Sequence, residues 1–179
     1  MLFITAVSLL AALTSMTVYF YTKNPIAYSL LITFGTIFYH FAMRLIVGYT
    51  VNAIFHNRMD NKKTWFRERK FERKLYKTLN VKAWKVHVPA YEPENFDLSK
   101  RSAEEVVQAM CQAEVVHEII MLLSLVPIVF TVWFGSLAVF LITSLAAFAV
   151  DGVFVIMQRY NRPRLARLIR KQRGIINGS

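Results

Sequence analysis

The sequence has one cysteine in 179 residues. With Cys111 alone, no disulfide can close within the chain and no thiolate metal site can be built. Acidic residues are scarce: 11 face 22 lysines and arginines, for a formal charge of +11. No Gly-x-Ser-x-Gly elbow, phosphate-binding glycine loop or dinucleotide fingerprint is present. No internal repeat or low-complexity stretch appears. The N-terminus lacks the basic region and small-residue cleavage site of a secretory signal, so "MLFITAVSLLAALTSMTVYF" is read as a retained span.

What is present is apolar. Hydrophobic residues make up 55% of the chain and aromatics 14%. So apolar and so basic a chain points to a membrane protein with basic faces on one side. Nucleic-acid binding would explain the charge, but the apolar runs are too long for a soluble core.

Four segments reach the roughly 20 apolar residues that a bilayer crossing needs. They fall at about 2–21, 26–55, 113–134 and 136–157. "TKNP" makes a tight turn between the first two, with Pro25 suited to a helix start. Gly135 and Ser136 leave only a hairpin-sized link between the last two. Thirteen of the 22 basic residues lie between Arg58 and Arg101 and seven from Arg159 onward, while Lys23 alone marks the opposite side. The positive-inside rule then puts both termini and the central segment in the cytoplasm. The predicted fold is all-α: a single integral membrane domain over 1–179, a four-helix bundle. A basic amphipathic cytoplasmic segment (56–101) lies between spans two and three, and a basic tail covers 158–179.

Within the central segment, "TWFRERKFERKLYKTLNVKAWK" puts Phe71, Leu75, Tyr76 and Leu79 on one helical face. Such a helix suits an anionic membrane surface; a soluble helix with a solvated charged face is the plainer alternative. "VHVPAYEPENFDLSK" reads as a loop. "SAEE" at Ser102–Glu105 is a capping box, so a helix starts there and runs into the third span. Pro127 is expected to kink it.

Glu114, His117 and Glu118 share a helical face where that span enters the membrane. Ionisable groups there are costly and usually face a bundle interior or wet cavity. A carboxylate beside an imidazole holds one tautomer and raises its basicity, as a general base for a hydroxyl requires. The plainer reading is a hydrogen-bonded packing pair. Glu-x-x-His also evokes a di-iron carboxylate centre, but such bundles use the motif twice and it occurs once here. No metal site is therefore assigned. Arg44 in span two and Asp151 in span four lie at similar depths and can neutralise each other, with His40 one turn further in. They form either a structural pair or the inner end of a polar substrate pocket. After the fourth span, "QRYNRPRL" gathers Asn161, Arg162 and Arg164 at Pro163, where a helix break is expected. Guanidinium forks suit the phosphates of a lipid headgroup or of coenzyme A.

"AEVVHE" in a span, "QRYNRPRL" after the last span and "WFRERKFERKLYKTLNVKAWKVHVP" between spans together resemble the glycosyl-4,4'-diaponeurosporenoate acyltransferase family of small bacterial membrane proteins. The resemblance covers roughly His56 to Arg170. "NRPRL" and the Trp84–Lys85 pair of "WKVHVP" are its most specific pieces. It implies transfer of a fatty acyl group to a sugar hydroxyl on a glycosylated carotenoid, the last step of staphyloxanthin-type pigment synthesis. His117 then matches the family's span histidine and Glu114 its preceding carboxylate. Asn161, Arg162 and Arg164 match the terminal block.

The expected catalytic residues are thus His117, Glu114 and Glu118. The expected substrate-binding residues are Asn161, Arg162, Arg164, Arg44, Asp151, His40, Trp84 and Lys85. No cofactor is expected: acyl-CoA or another activated donor is an exchangeable substrate. The soluble acyltransferase His-x4-Asp pattern is missing, since His117 and His56 lead to Leu122 and Asn61. Cys111 reads as packing. Expected partners are membrane lipid, the lipid-linked substrate, anionic headgroups and, compatibly, further copies of the chain, but no nucleic acid. The expected location is the bacterial cell membrane. The rival readings are a non-enzymatic lipid-binding scaffold and a metal-dependent lipid oxidoreductase.

Overall fold

The computed structural model describes residues 1–88 and 93–176. Part of the expected central loop (89–92) and the end of the tail (177–179) lie outside them. The described residues form helices α1 (Leu2–Thr22), α2 (Pro25–Phe55), α3 (Lys70–Thr78), α4 (Val81–Trp84), α5 (Ala103–Leu123), α6 (Val126–Val129), α7 (Thr131–Phe134) and α8 (Leu137–Ile176), with no strand among them. Four stretches are long and apolar enough to cross a membrane: Leu2–Thr22, Pro25–Phe55, Ala103–Phe134 and Leu137–Lys171. At 1.5 Å per residue, the 31 residues of α2 extend about 46 Å, more than a ~30 Å hydrocarbon core needs.

The chain divides into two compact units, and α2, α5 and α8 contribute residues to both. The first unit comprises Met1–Thr50 and Glu118–Asp151. Here α1 buries Ser8, Ala12 and Ser15, a small-residue stripe of the kind that lets backbones approach closely in membranes. The α1–α2 turn forms as its residues dictate. Lys23 takes the left-handed conformation (φ 54°) and donates its amide to the Tyr19 carbonyl at 2.8 Å. The Asn24 side chain accepts from the Ile26 amide at 2.8 Å, and Pro25 opens α2.

Pro127 ends α5 rather than kinking it. Proline has no N–H to give to the carbonyl four residues back, which belongs to Leu123. The Tyr39 hydroxyl donates to that carbonyl instead, at 2.9 Å. Two short helices, α6 and α7, then lead to Gly135 (φ 67°) and Ser136 (φ 53°), where α8 begins.

The second unit comprises Val51–His117 and the chain from Gly152 on. The capping box forms as written: the Ser102 amide donates to Glu105 at 2.8 Å, and the Glu105 amide donates to the Ser102 hydroxyl at 3.3 Å. The Asn57 amide donates to Gln112 at 2.7 Å, and the Gln112 side-chain amide donates to Asn52 at 3.1 Å, tying the end of α2 to α5. Two apolar clusters anchor the unit: Met59, Phe66 and Cys111, and Tyr76, Val81 and Tyr160.

Two sequence expectations change here. The amphipathic stretch is not one helix but α3 and α4, separated by Asn80 in the left-handed region (φ 46°) and flanked by 3-10 turns. Its expected apolar face also splits. Tyr76 turns inward with Glu72, both buried, while Phe71, Leu75 and Leu79 stay exposed. The inward side carries Glu72, paired with Arg159, beside Tyr76, which packs in the apolar cluster with Val81 and Tyr160. Secondly, Pro163 does not break α8, which runs through it. Pro163 gives no N–H to the carbonyl four residues back, that of Arg159; the Arg164 and Arg167 guanidiniums bond the nearby Tyr160 and Pro163 carbonyls.

Candidate functional site

The central feature of the second unit is a buried chain of charges. Glu114, on α5, is fully buried. One of its oxygens accepts from Arg159 at 2.9 Å, and the other accepts from Arg162. Arg159 continues to Glu72 on α3, at 2.8 Å. Arg162 also donates to the Phe66 carbonyl at 2.6 Å and lies over the Phe66 ring, 4.8 Å from its centroid. Arg159 and Arg162 are three residues apart on α8, so one face of that helix presents both guanidiniums to Glu114. Two carboxylates and two guanidiniums alternate, which satisfies both signs in a place where an unpaired charge would be strongly destabilising.

Glu114 spends its oxygens on arginines, and the His117 ring stacks on Phe154 at 4.6 Å and 9°. Both remain on one face of α5, with half-buried Glu118 next along it.

A second group adjoins the Tyr76–Val81–Tyr160 cluster. Lys85 donates to Asn161 at 2.6 Å and sits 4.9 Å from the Tyr160 centroid. Arg164 lies flat on the same ring, 3.4 Å from its centroid, and donates to the Tyr160 carbonyl. Trp84 packs on this cluster and donates its indole N–H to the Leu79 carbonyl at 2.9 Å. Burial pushes the Lys85 ammonium pKa down, and Arg164 and Lys82 push it further. Burial raises the Tyr76 phenol above its ordinary pKa, and its 2.9 Å hydrogen bond to the Glu72 carboxylate adds to this. Five of the expected binding residues, Trp84, Lys85, Asn161, Arg162 and Arg164, thus belong to two adjoining clusters in this unit.

The first unit holds the rest. Arg44 forms an ion pair with Asp151, as the depth count along the two helices anticipates. Arg44 also donates to the His40 carbonyl at 2.9 Å. His40 is buried and neither ring nitrogen has a hydrogen-bond partner.

Sequence reasoning missed Glu72, Arg159, Phe66, Phe154 and Tyr160. A signal existed for one of them. Glu72 is one of only two acids between residues 61 and 91, and it lies one turn from Tyr76. Nothing local marks Arg159 among the tail cations. Among the described residues, no group of three or more His, Cys, Asp or Glu side chains could hold a metal ion.

Membrane-length helices that carry a buried, internally neutralised set of arginines and glutamates define a polytopic membrane protein with a polar centre. Its kind is more specific than that. The chain belongs to the glycosyl-4,4'-diaponeurosporenoate acyltransferase family, whose family model matches residues 62–171. The matched stretch contains the whole Glu72–Arg159–Glu114–Arg162 network and His117, and it leaves out α1 and α2 with His40 and Arg44. No curated protein and no solved structure matches the chain.

Proposed function

We propose that this chain is a membrane O-acyltransferase. It would move a fatty acyl group from an activated donor to a hydroxyl of a lipid-linked sugar, a glycosylated carotenoid or another glycolipid, at the cytoplasmic face of the bacterial cell membrane. The observation that carries this reading is the coincidence between the family match and the ionic network beside His117. Family-matched residues that gather at one buried polar centre are better explained by chemistry there than by anchoring alone.

In this reading His117 is the general base. It takes the proton from the sugar hydroxyl as the oxygen attacks the acyl carbonyl carbon. The bond from that carbon to the donor's leaving atom then breaks, and the leaving group takes the proton from His117. Phe154 stacks against the ring and holds its plane. Glu114, enclosed by two guanidiniums, acts as a positioning residue that fixes Arg159 and Arg162 next to the base. Glu118, on the same face of α5, orients the imidazole. Asn161, Arg164, Trp84 and Lys85 bind the polar part of a substrate, and Arg44, Asp151 and His40 are substrate-contacting residues of the first unit. The donor is a substrate, so the reaction needs no resident cofactor. The excess of positive charge in 58–101 and from Arg159 onward supports cytoplasmic termini and contact with anionic headgroups.

A lipid-binding scaffold is the second reading. Exposed Phe71, Leu75 and Leu79 amid lysines and arginines favour it, because that surface can lie on a membrane without any chemistry. Lipid mass spectrometry separates the two, using cells that supply a glycosylated carotenoid and express either the wild type or His117→Ala at matched membrane levels. The enzyme reading expects a lipid heavier by one acyl group with the wild type and none with the mutant. Identical profiles with and without product would sink the base assignment and the enzyme reading, respectively.

A further inference from the structure

The second unit contains a cleft of about 470 Å³, within the size range of small-molecule sites. Its lining brings cations from three separate parts of the chain: Arg73 and Lys77 from α3, Lys82 from α4, and Arg164 and Arg167 from α8. Glu68 is the only carboxylate among the lining residues, and it is paired with Arg73 at 3.4 Å. The left-handed turn at Asn80 folds α4 back after α3, so Lys77 and Lys82 border the same space.

Positive-inside anchoring explains basic residues scattered over a surface. It does not explain five converging on one concavity, where each raises the cost of the next. Two of them are also held in place. Arg164 is flattened on Tyr160 and tied to its carbonyl, and Arg167 donates to the Pro163 carbonyl at 3.1 Å. Fixed guanidiniums beside mobile ammonium groups are what a multiply charged oxyanion requires: forks that set its orientation and point charges that adjust to it. Lys85, whose ammonium pKa is pushed down first by burial and then by Arg164 and Lys82, adds one more cation next to Arg164 and the Tyr160 ring.

We infer that this cleft is a binding site for a ligand carrying two or more phosphate charges. Two sources offer that chemistry: a soluble nucleotide-linked acyl thioester such as a coenzyme A derivative, and the headgroups of anionic phospholipids. Phosphate binding itself stands apart from catalysis. Assigning the ligand as the acyl donor rests on the acyltransferase reading, and it would place the donor's phosphates against α3, α4 and α8.

The test uses the full chain in phosphatidylcholine nanodiscs, titrated with coenzyme A and followed by tryptophan fluorescence. Trp84 packs on the cluster that supplies Tyr76 and Tyr160 to the cleft. The paired variant Lys77→Gln/Arg167→Gln removes two exposed cleft cations. Lys62→Gln/Lys63→Gln removes two exposed cations outside the lining. A charge-preserving pair, Lys77→Arg/Arg167→Lys, controls for folding. The soluble source predicts saturable binding that weakens about tenfold or more in the cleft pair only and returns in the charge-preserving pair. The headgroup source predicts no coenzyme A binding. Native mass spectrometry of nanodiscs containing phosphatidylglycerol would instead find retained anionic lipid that the cleft pair loses. Wild-type behaviour of the cleft pair in both arms, or binding of neither probe by the wild type, overturns the inference. Cleft-dependent coenzyme A binding without ester formation would leave the inference standing and count against the acyltransferase reading.

Discussion

Glu114 is the residue on which the polar centre turns. It is fully buried, and its two oxygens are the common acceptor for Arg159 and Arg162. Removing one partner of a buried pair leaves the other charge uncompensated, at a cost of about 3–5 kcal/mol. Glu114→Ala is expected to lose stability on that scale and Glu114→Gln less, as read by thermal unfolding in detergent. Tyr76 gives a pH signature. Its folded pKa lies above the ordinary value of about 10, so its contribution is fully present below pH 10 and is lost as pH rises past it. Wild type should thus lose stability relative to Tyr76→Phe only on the alkaline side, as followed by unfolding across that range. Part of this scale was readable in the sequence. Counting along two helices was enough to match Arg44 with Asp151, because depth in a membrane is a one-dimensional quantity. The partners of Glu114 were not readable, since they lie 45 and 48 positions away and helical spacing speaks only of neighbours.

At the scale of elements, local chemistry set most boundaries. Pro25 opens α2 and the Ser102–Glu105 box opens α5. Ser102→Ala should cost about 1 kcal/mol, the usual worth of a side-chain cap, without changing the four long helices. Circular dichroism combined with thermal unfolding checks both halves of that expectation. The two interior prolines divide the cases that sequence could and could not resolve. Pro127 disrupts its helix, and the carbonyl it frees is taken by Tyr39, 84 residues away. Pro163 leaves α8 continuous. The two prolines carry the same intrinsic penalty, so the residue type alone does not distinguish the helix that ends from the one that continues. In α3 the pattern misled for a related reason. In a helix beside a bilayer, an apolar side can remain exposed while a charged residue such as Glu72 turns inward to its partner.

For the whole molecule, the four membrane-length helices were legible because length and apolarity alone identify them. The asymmetry of positive charge predicts their orientation, and this can be measured. In a Cys111→Ser background, a cysteine at Asn24 should react with an impermeant thiol reagent from outside intact cells. A cysteine at Ser99 should react only after the membrane is opened. The reverse pattern would invert the proposed topology. Family membership centres on 62–171, and so does the ionic network. α1 and α2 lie outside both.

The most direct measurement is transfer by the purified chain. Protein reconstituted in liposomes would receive a glycosylated diaponeurosporenoate and an acyl-CoA, and the ester would be followed by chromatography and mass spectrometry. Wild type should form it, and His117→Ala should slow it by about 10²–10⁴-fold, the usual worth of a general base, while retaining its fold. An ester formed equally fast by both proteins would contradict the role of His117. No ester from a folded wild type, with acceptor and donor both present, would contradict acyl transfer between these substrates.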